Sequence, residues 1–378
     1  MRRLVALVMP ASRRFVDELR RAWDDGDAVL PVDVRLPPAL VERLLRDLGA
    51  AEVVDERGNR ARLDHGRPVE EGDALVMATS GTTGDPKGVV LTHAAIEASS
   101  RATSARLGVD PARHRWLACL PVAHIGGLAV VLRALHTGTP LDLLPAFDPD
   151  AVEAAAKDGA THVSLVPTAL RRIDASLFTR IVLGGSRPPA QLPPNCTVTY
   201  GMTETASGIW YDDRPLDGVE VEVRAAGSGC DGEIFVRGPM LLRCYRDGTD
   251  PKTADGWLPT GDIGSMTSDG RLVVHGRRGE MIVTGGENVW PNAVEAVLAR
   301  HDDVADVLVT AEPDDEWGQL VTAVVVPRDR SAPPSVDALR AFAREHLPPY
   351  ALPRRVRHVD SLPRTALGKL RRTGATGG

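Results

Sequence analysis

The stretch Thr79-Ser80-Gly81-Thr82-Thr83-Gly84-Asp85-Pro86-Lys87-Gly88-Val89 gathers the densest set of groups that could do chemistry together. Its glycines let the backbone turn, its hydroxyls and backbone N–H groups are donors, and Lys87 adds a mobile point charge. Such a loop can wrap a polyphosphate. It is not a Walker A loop, which needs Gly-Lys-[Ser/Thr], because Asp85-Pro86 separates Gly84 from Lys87. Other reactive types are scattered: His124 beside apolar residues, Glu204 next to Thr203, Asp262 after a strand-like segment, and Lys369 in a basic tail with Arg364, Arg371 and Arg372. Taken singly these read blandly, as a packed histidine, solvated charges and a wetted tail. Cys119, Cys196, Cys230 and Cys244 form no CxxC pair, so neither a zinc site nor a disulfide framework is suggested.

The elements that must carry these residues alternate. Apolar spacing predicts helices at 39–48, 92–107, 127–136 and 150–157, interleaved with strands at 74–78, 116–120, 161–166 and 180–183. That alternation is the mark of sheets covered by helices. From about residue 219 the texture changes to short strands at 219–223, 233–236 and 271–275. After Gly276-Arg277-Arg278-Gly279 come a helix starting at Pro291, strands at 304–310 and 320–326, a helix at 335–346 and the basic tail. The expected architecture is a large α/β body of helix-covered sheets, residues 1–278, and a small α+β cap, residues 279–378.

Composition bounds the function classes. Hydrophobic residues make up 43% and charged residues 25% of 378, which excludes wholesale disorder. A net charge of −6 gives no support for coating nucleic acid, and no apolar run approaches the ~18–20 residues of a membrane span. Met1-Arg2-Arg3 and the apolar run after it imitate a signal peptide. Pro10 interrupts that run, and Arg13-Arg14 stand where a cleavage site belongs, so a cytoplasmic location is expected. The 36 glycines and 29 prolines exceed ordinary usage, which raises the question of whether they build working loops.

In order, the motifs of the chain resemble those of the adenylate-forming superfamily of acyl- and aryl-CoA ligases, peptide-synthetase adenylation domains and luciferases. The phosphate loop comes first. Pro121-Val122-Ala123-His124-Ile125-Gly126-Gly127 resembles the acyl-pocket motif, and Gly184-Gly185-Ser186 the glycine turn lining adenine and substrate. Tyr200-Gly201-Met202-Thr203-Glu204-Thr205 is similar to the nucleotide and magnesium motif, and Trp257-Leu258-Pro259-Thr260-Gly261-Asp262 to the ribose motif. Gly276-Arg277 and Gly285-Gly286-Glu287-Asn288-Val289-Trp290-Pro291 resemble the hinge region, and Pro363-Arg364-Thr365-Ala366-Leu367-Gly368-Lys369 the C-terminal lysine motif. The likeness runs from about residue 70 to the end.

The resemblance implies a two-step reaction. A carboxylate attacks the α-phosphate of ATP to give an acyl-adenylate, and the thiol of coenzyme A then displaces AMP. It implies that Thr79, Ser80, Gly81, Thr82, Thr83, Gly84 and Lys87 hold phosphates and that Thr203 donates to the α-phosphate. Glu204 would hold Mg²⁺, a hard cation suited to carboxylate and phosphate oxygens. Gly184, Gly185, Tyr200 and Gly201 would receive adenine, and Asp262 and Arg277 the ribose. Lys369 would bridge the attacking carboxylate and the α-phosphate, and His124 would line the acyl pocket and gate the acid. Two departures stand out: Gly279-Glu280 where the family usually has Asp or Lys followed by Asp, and Ala78 where an aromatic is frequent. Glycine at a hinge absorbs backbone rotation without steric cost.

Roughly 70 residues precede the phosphate loop. With residues 121–133 and 199–219, this looks most like the compact, actinobacterial-type 2-succinylbenzoate–CoA ligases of menaquinone synthesis. Such a substrate carries a second carboxylate to be recognised. Arg133 is the candidate, with Ser186 and Ser207 as further pocket donors, although a solvated helix arginine reads nearly as well. Other small aryl- or acyl-CoA ligases, a carrier-protein-loading adenylation enzyme and a non-catalytic nucleotide binder remain open. The sequence does not decide oligomeric state, a homodimer being one option.

Overall fold

A computed structural model describes the chain except residues 1, 81–85, 187, 190, 226–230, 365–371 and 373–378. Compactness divides it into two units. The first comprises Met1–Val221 with Val236–Leu258, and the second Glu222–Phe235 with Pro259–Gly378.

Two seven-stranded sheets form the first unit. In one, Leu4–Val8 lies between Ala28–Val32 and Glu52–Asp55, parallel to both. The runs LVALV and AVLPV are apolar throughout because both faces of these strands are covered. Pro31 lacks an N–H for the ladder, and towards Asp73–Ser80 the pairing of its strand is confined to Val29 and Leu75. The helix Arg13–Asp24, which was not among the expected elements, starts on Ser12, whose side chain accepts from the Phe15 N–H, and buries Phe15, Val16 and Leu19. Asp73–Ser80 and Pro86–Thr92 form the antiparallel hairpin that carries the phosphate loop.

The second sheet runs through Trp116–Ala118, His162–Leu165, Arg180–Leu183 and Cys196–Met202, with Ser207–Tyr211 antiparallel beyond the last. His93–Arg106 touches both sheets and packs on Ile125–Thr137, which covers the second. The first of these helices buries small residues, Ala95, Ser99, Ser100, Thr103 and Ser104, so the layers approach closely. The second buries every residue from Gly127 to Ala134. A helix apolar on nearly all sides belongs in an interior, and Arg133 is its one buried charge. Cys119 is buried, and desolvation pushes its thiol up to about 12, so it is inert packing.

In the second unit, Val304–Asp314 and Gly318–Pro327 form a long hairpin with Arg355–His358 parallel beside it. The helices Pro291–Leu298 and Val336–Ala343 close a core of Val294, Leu298, Val309, Val321, Val325 and Leu339. This is the expected small α+β fold. A four-stranded sheet, ending in Leu258–Met266 paired with Leu272–Arg277, belongs almost wholly to the same unit. The basic tail differs from its sequence reading at Arg372. Its guanidinium is largely buried, donates to Glu280 at 3.1 Å and to the Val309 carbonyl at 2.8 Å, and also binds Glu295 and Asn292. A buried guanidinium needs this many acceptors, whereas a solvated one needs none. No helix among the described residues is long and apolar enough to cross a membrane.

The bidentate pair of Arg243 with Asp73, at 2.8 and 3.0 Å, ties the edge strand Cys244–Tyr245 to the phosphate-loop hairpin. The Asp73 side chain is 1% exposed and that of Arg243 30%. Replacing Asp73 with Asn should lower the free energy of urea unfolding by about 2–4 kcal/mol, because one partner of a mostly buried pair is lost. An unchanged midpoint would show that the pair contributes nothing.

Candidate active site

Lys87 and Glu204, far apart in sequence, meet around one tyrosine. The Lys87 ammonium lies 5.0 Å from the centre of the Tyr245 ring, and the Tyr245 hydroxyl donates to Glu204 Oε1 at 3.1 Å. Thr203 and Glu204 sit in a short 3₁₀ turn that leaves the strand Cys196–Met202. Thr205 holds this turn, its hydroxyl accepting from the Met202 N–H at 2.9 Å. A Cβ on Gly201 would fall 2.2 Å from the Ser207 carbonyl, so the hairpin leading to Glu204 admits only glycine there. Among the described residues no three His, Cys, Asp or Glu side chains form a metal cage. Mg²⁺ takes phosphate oxygens and water with one or two carboxylates. Among the described residues the Glu204 carboxylate receives one hydrogen bond, on Oε1, and its second oxygen fits that role.

His124 caps the helix Ile125–Thr137, its carbonyl accepting from the N–H groups of Gly127 and Leu128 at 3.0 Å. A Cβ on Gly127 would lie 2.4 Å from the Pro121 carbonyl, which fixes glycine in the pocket motif. Nε2 of His124 is buried, without a hydrogen bond, 3.6 Å from Oδ2 of Asp33. Asp33 is clamped by the Arg35 side chain at 2.8 and 2.6 Å, which holds its carboxyl below the usual range. Burial pushes the His124 pKa down, Asp33 opposes this, and Arg35 adds to it, so the ring is mainly neutral near pH 7.

Arg133 is 3% exposed. Its Nη2 donates to Ser207 Oγ at 2.7 Å and to the Tyr211 hydroxyl at 3.3 Å, and Nη1 donates to Ser164 Oγ at 3.3 Å. The guanidinium also lies 5.5 Å from the Trp116 ring centre. Nε has no partner, and among the described residues no carboxylate pairs with this cation. Thr103 adds a bond to the Tyr211 hydroxyl at 3.2 Å. Arg133 and Ser207 are therefore brought together, and the solvated-helix reading of Arg133 does not hold. Ser186 is exposed and takes no part in this cluster.

Gly184 and Gly185 follow the strand Arg180–Leu183, Gly185 at φ +82, a conformation that favours glycine. A Cβ on Gly184 would meet Thr199 Oγ1 at 2.7 Å. Tyr200 is half-buried on the strand before the Glu204 turn. Thr79 ends at the hairpin, its hydroxyl 3.4 Å from the Lys87 carbonyl. The Ser80 side chain, Gly81, Thr82, Thr83, Gly84 and Lys369 lie outside the described residues. In the second unit Asp262 is 7% exposed and pairs with Arg277 Nε at 2.8 Å, while Arg277 Nη1 donates to the Thr260 carbonyl at 2.7 Å. Sequence reading missed Asp33, Ser164, Tyr211 and Tyr245. Asp33, immediately after a five-residue apolar strand, was the one with a local signal.

Comparison with known proteins identifies the family and the fold. Residues 51–246 match the model of the AMP-binding enzyme family, and residues 293–369 that of the AMP-binding enzyme C-terminal domain. The 2-succinylbenzoate–CoA ligase of Geobacillus kaustophilus is 35% identical over 98% of this chain and 86% of its own length. The o-succinylbenzoate CoA synthetase (MenE) of Bacillus subtilis, solved with the acyl-adenylate intermediate OSB-AMP, superposes with TM-score 0.87 and 26% identity over 99% of this chain and 88% of that one. Its complex with ATP and magnesium gives TM-score 0.85 and 28% identity over 98% and 88% of the two chains. With its motifs in order, its fold shared and a relative of this similarity along nearly its whole length, the chain belongs to the AMP-binding enzyme family.

Proposed function

We propose that the chain is an ATP-dependent, AMP-forming ligase that converts 2-succinylbenzoate to 2-succinylbenzoyl-CoA in menaquinone synthesis. The observation that carries the substrate is the buried Arg133 guanidinium with hydroxyls and a ring around it and, among the described residues, no carboxylate of its own. A cation buried without a counter-charge is costly unless an anion completes it, and this substrate keeps one carboxylate free while the other is activated. The names of the similar proteins support the same acid.

In this reading one carboxylate oxygen attacks the α-phosphorus and pyrophosphate leaves; the coenzyme A sulfur then attacks the acyl carbon and AMP leaves. When bound, Mg²⁺ supplies a Lewis acid that draws charge from the phosphate oxygens. Glu204 holds it, Lys87 and the phosphate loop hold the polyphosphate, and Thr203 donates to the α-phosphate. Tyr200 and the Gly184-Gly185 turn take adenine, and Asp262 and Arg277 take the ribose. His124, mainly neutral, admits the acid, and Arg133 with Ser207 receives its second carboxylate. Lys369 neutralises the charge that gathers as the carboxylate meets the α-phosphate. The division into residues 1–278 and 279–378, hinged at Gly279, is part of the proposal, as is a cytoplasmic location where ATP and coenzyme A are supplied.

Pyrophosphate release with ATP, coenzyme A and a panel of aromatic and aliphatic acids tests the substrate. 2-Succinylbenzoate should turn over with the highest kcat/KM. Silence with that acid beside turnover of another would overturn the assignment, and turnover only with a carrier-protein thiol would replace coenzyme A as acceptor. A second measurement separates the half-reactions. Lys369→Ala should slow adenylate formation by about 100-fold or more, the scale of one lost electrostatic contact in a transition state, yet spare thioester formation from pre-made acyl-adenylate. Equal losses in both halves would remove Lys369 from its role.

A further inference from the structure

The segment 242–246 is stitched to both halves of the phosphate and metal site. The Leu242 N–H donates to the Glu204 carbonyl at 2.7 Å, the Arg243 N–H to Val90 at 2.9 Å, and the Arg246 N–H to Gly88 at 2.7 Å. Cys244 and Tyr245 pair with Val90 and Val89 on the strand that begins beside the loop. Both ends of the segment are anchored. Arg243 grips the buried Asp73, and the Arg246 guanidinium donates to the carbonyls of Leu48, Arg67 and Pro68 at 3.0, 2.7 and 2.8 Å. Tyr245 stands between these anchors with its ring under the Lys87 ammonium and its hydroxyl on Glu204.

A lysine and a glutamate this close to a common neighbour would gain by pairing with each other. That pair would quench the cation meant for phosphate and the anion meant for metal. Among the described residues they form no such pair. The ring face attracts the ammonium by its quadrupole without neutralising it, and the hydroxyl occupies one carboxylate oxygen while leaving the other. From this geometry we infer that Tyr245 is a positioning residue, which holds Lys87 and Glu204 apart and aims each at its own partner. The inference rests on the reading that Lys87 meets the polyphosphate and Glu204 the metal.

Two substitutions separate the handles. Tyr245→Phe keeps the ring and loses the hydroxyl; Tyr245→Leu loses both. The readouts are Mn²⁺ affinity in the presence of a non-hydrolysable ATP analogue, followed by electron paramagnetic resonance, and the KM for ATP. Tyr245→Phe should weaken Mn²⁺ binding about fivefold, the scale of one hydrogen bond to a charged group, with the ATP KM within about twofold and rescue by excess metal. Tyr245→Leu should in addition raise the ATP KM about threefold or more. Glu204→Gln serves as the control. If it weakens Mn²⁺ binding while both tyrosine variants match the wild type, the inference about Tyr245 is overturned and the site reading stands. If Glu204→Gln leaves Mn²⁺ binding unchanged, the metal assignment falls and the inference with it. A fall in thermal midpoint with no change in either binding readout would reduce Tyr245 to a packing residue.

Discussion

Burying a guanidinium with no acid beside it among the described residues sets the demand that the interior of the first unit answers. Arg133 sits on a helix whose other buried residues are aliphatic or glycine, so no flexible acid is at hand to neutralise it. The guanidinium instead donates to the sheet beneath, to Ser164 on one inner strand and to Ser207 and Tyr211 on the antiparallel strand. That requirement explains hydroxyls at positions where a helix-covered sheet would otherwise carry aliphatic side chains. It also explains why the neighbouring helix presents Thr103 to Tyr211. Each bond fixes a donor, and together they fix the direction in which the charge points. Removing any one leaves a buried N–H without an acceptor, the costly side of the hydrogen-bond balance.

Charged side chains within each unit follow two patterns. Asp33 with Arg35 in the first unit and Asp262 with Arg277 in the second are ion pairs, neutral as a unit. Lys87 and Arg133 instead meet aromatic rings, Tyr245 and Trp116. A π face steadies a cation while leaving its charge available to an incoming anion, which a carboxylate would not. Asp33 and Asp262 each have an arginine partner, whereas the Arg133 guanidinium has, among the described residues, no carboxylate.

Much of this was legible in the sequence because local signals and tertiary demands coincide. The helices His93–Arg106 and Pro149–Lys157 and the strand Arg180–Leu183 fall within a residue or two of their apolar spacing. The glycines of the motifs were legible for a physical reason, since Gly127 and Gly201 each face backbone at distances that no Cβ survives. The missing part is what distance in the chain hides. Tyr245 reaches Glu204 across 41 residues and Arg133 reaches Tyr211 across 78, and neither spacing has a period to detect. Arg372 looked like a solvated tail because its acceptors, Glu280, Asn292 and Glu295, come together only when the C-terminal fold forms. The opening helix Arg13–Asp24 does carry a helical stripe, Phe15, Val16, Leu19 and Ala22 behind a Ser12 cap, so nothing physical hid it.

The claim on which the account turns is that Arg133 receives the carboxylate that is not activated. A cycle of enzyme and substrate tests it: kcat/KM for 2-succinylbenzoate and for the analogue lacking the carboxylate that is not activated, each with the wild-type chain and with Arg133→Met. The account predicts a loss of about 30-fold or more for the dicarboxylate when the guanidinium is removed, the scale of truncating one partner of a buried charge pair. The monocarboxylate should change little, so that the two effects couple. Equal losses for both substrates would contradict it and make Arg133 a structural residue alone.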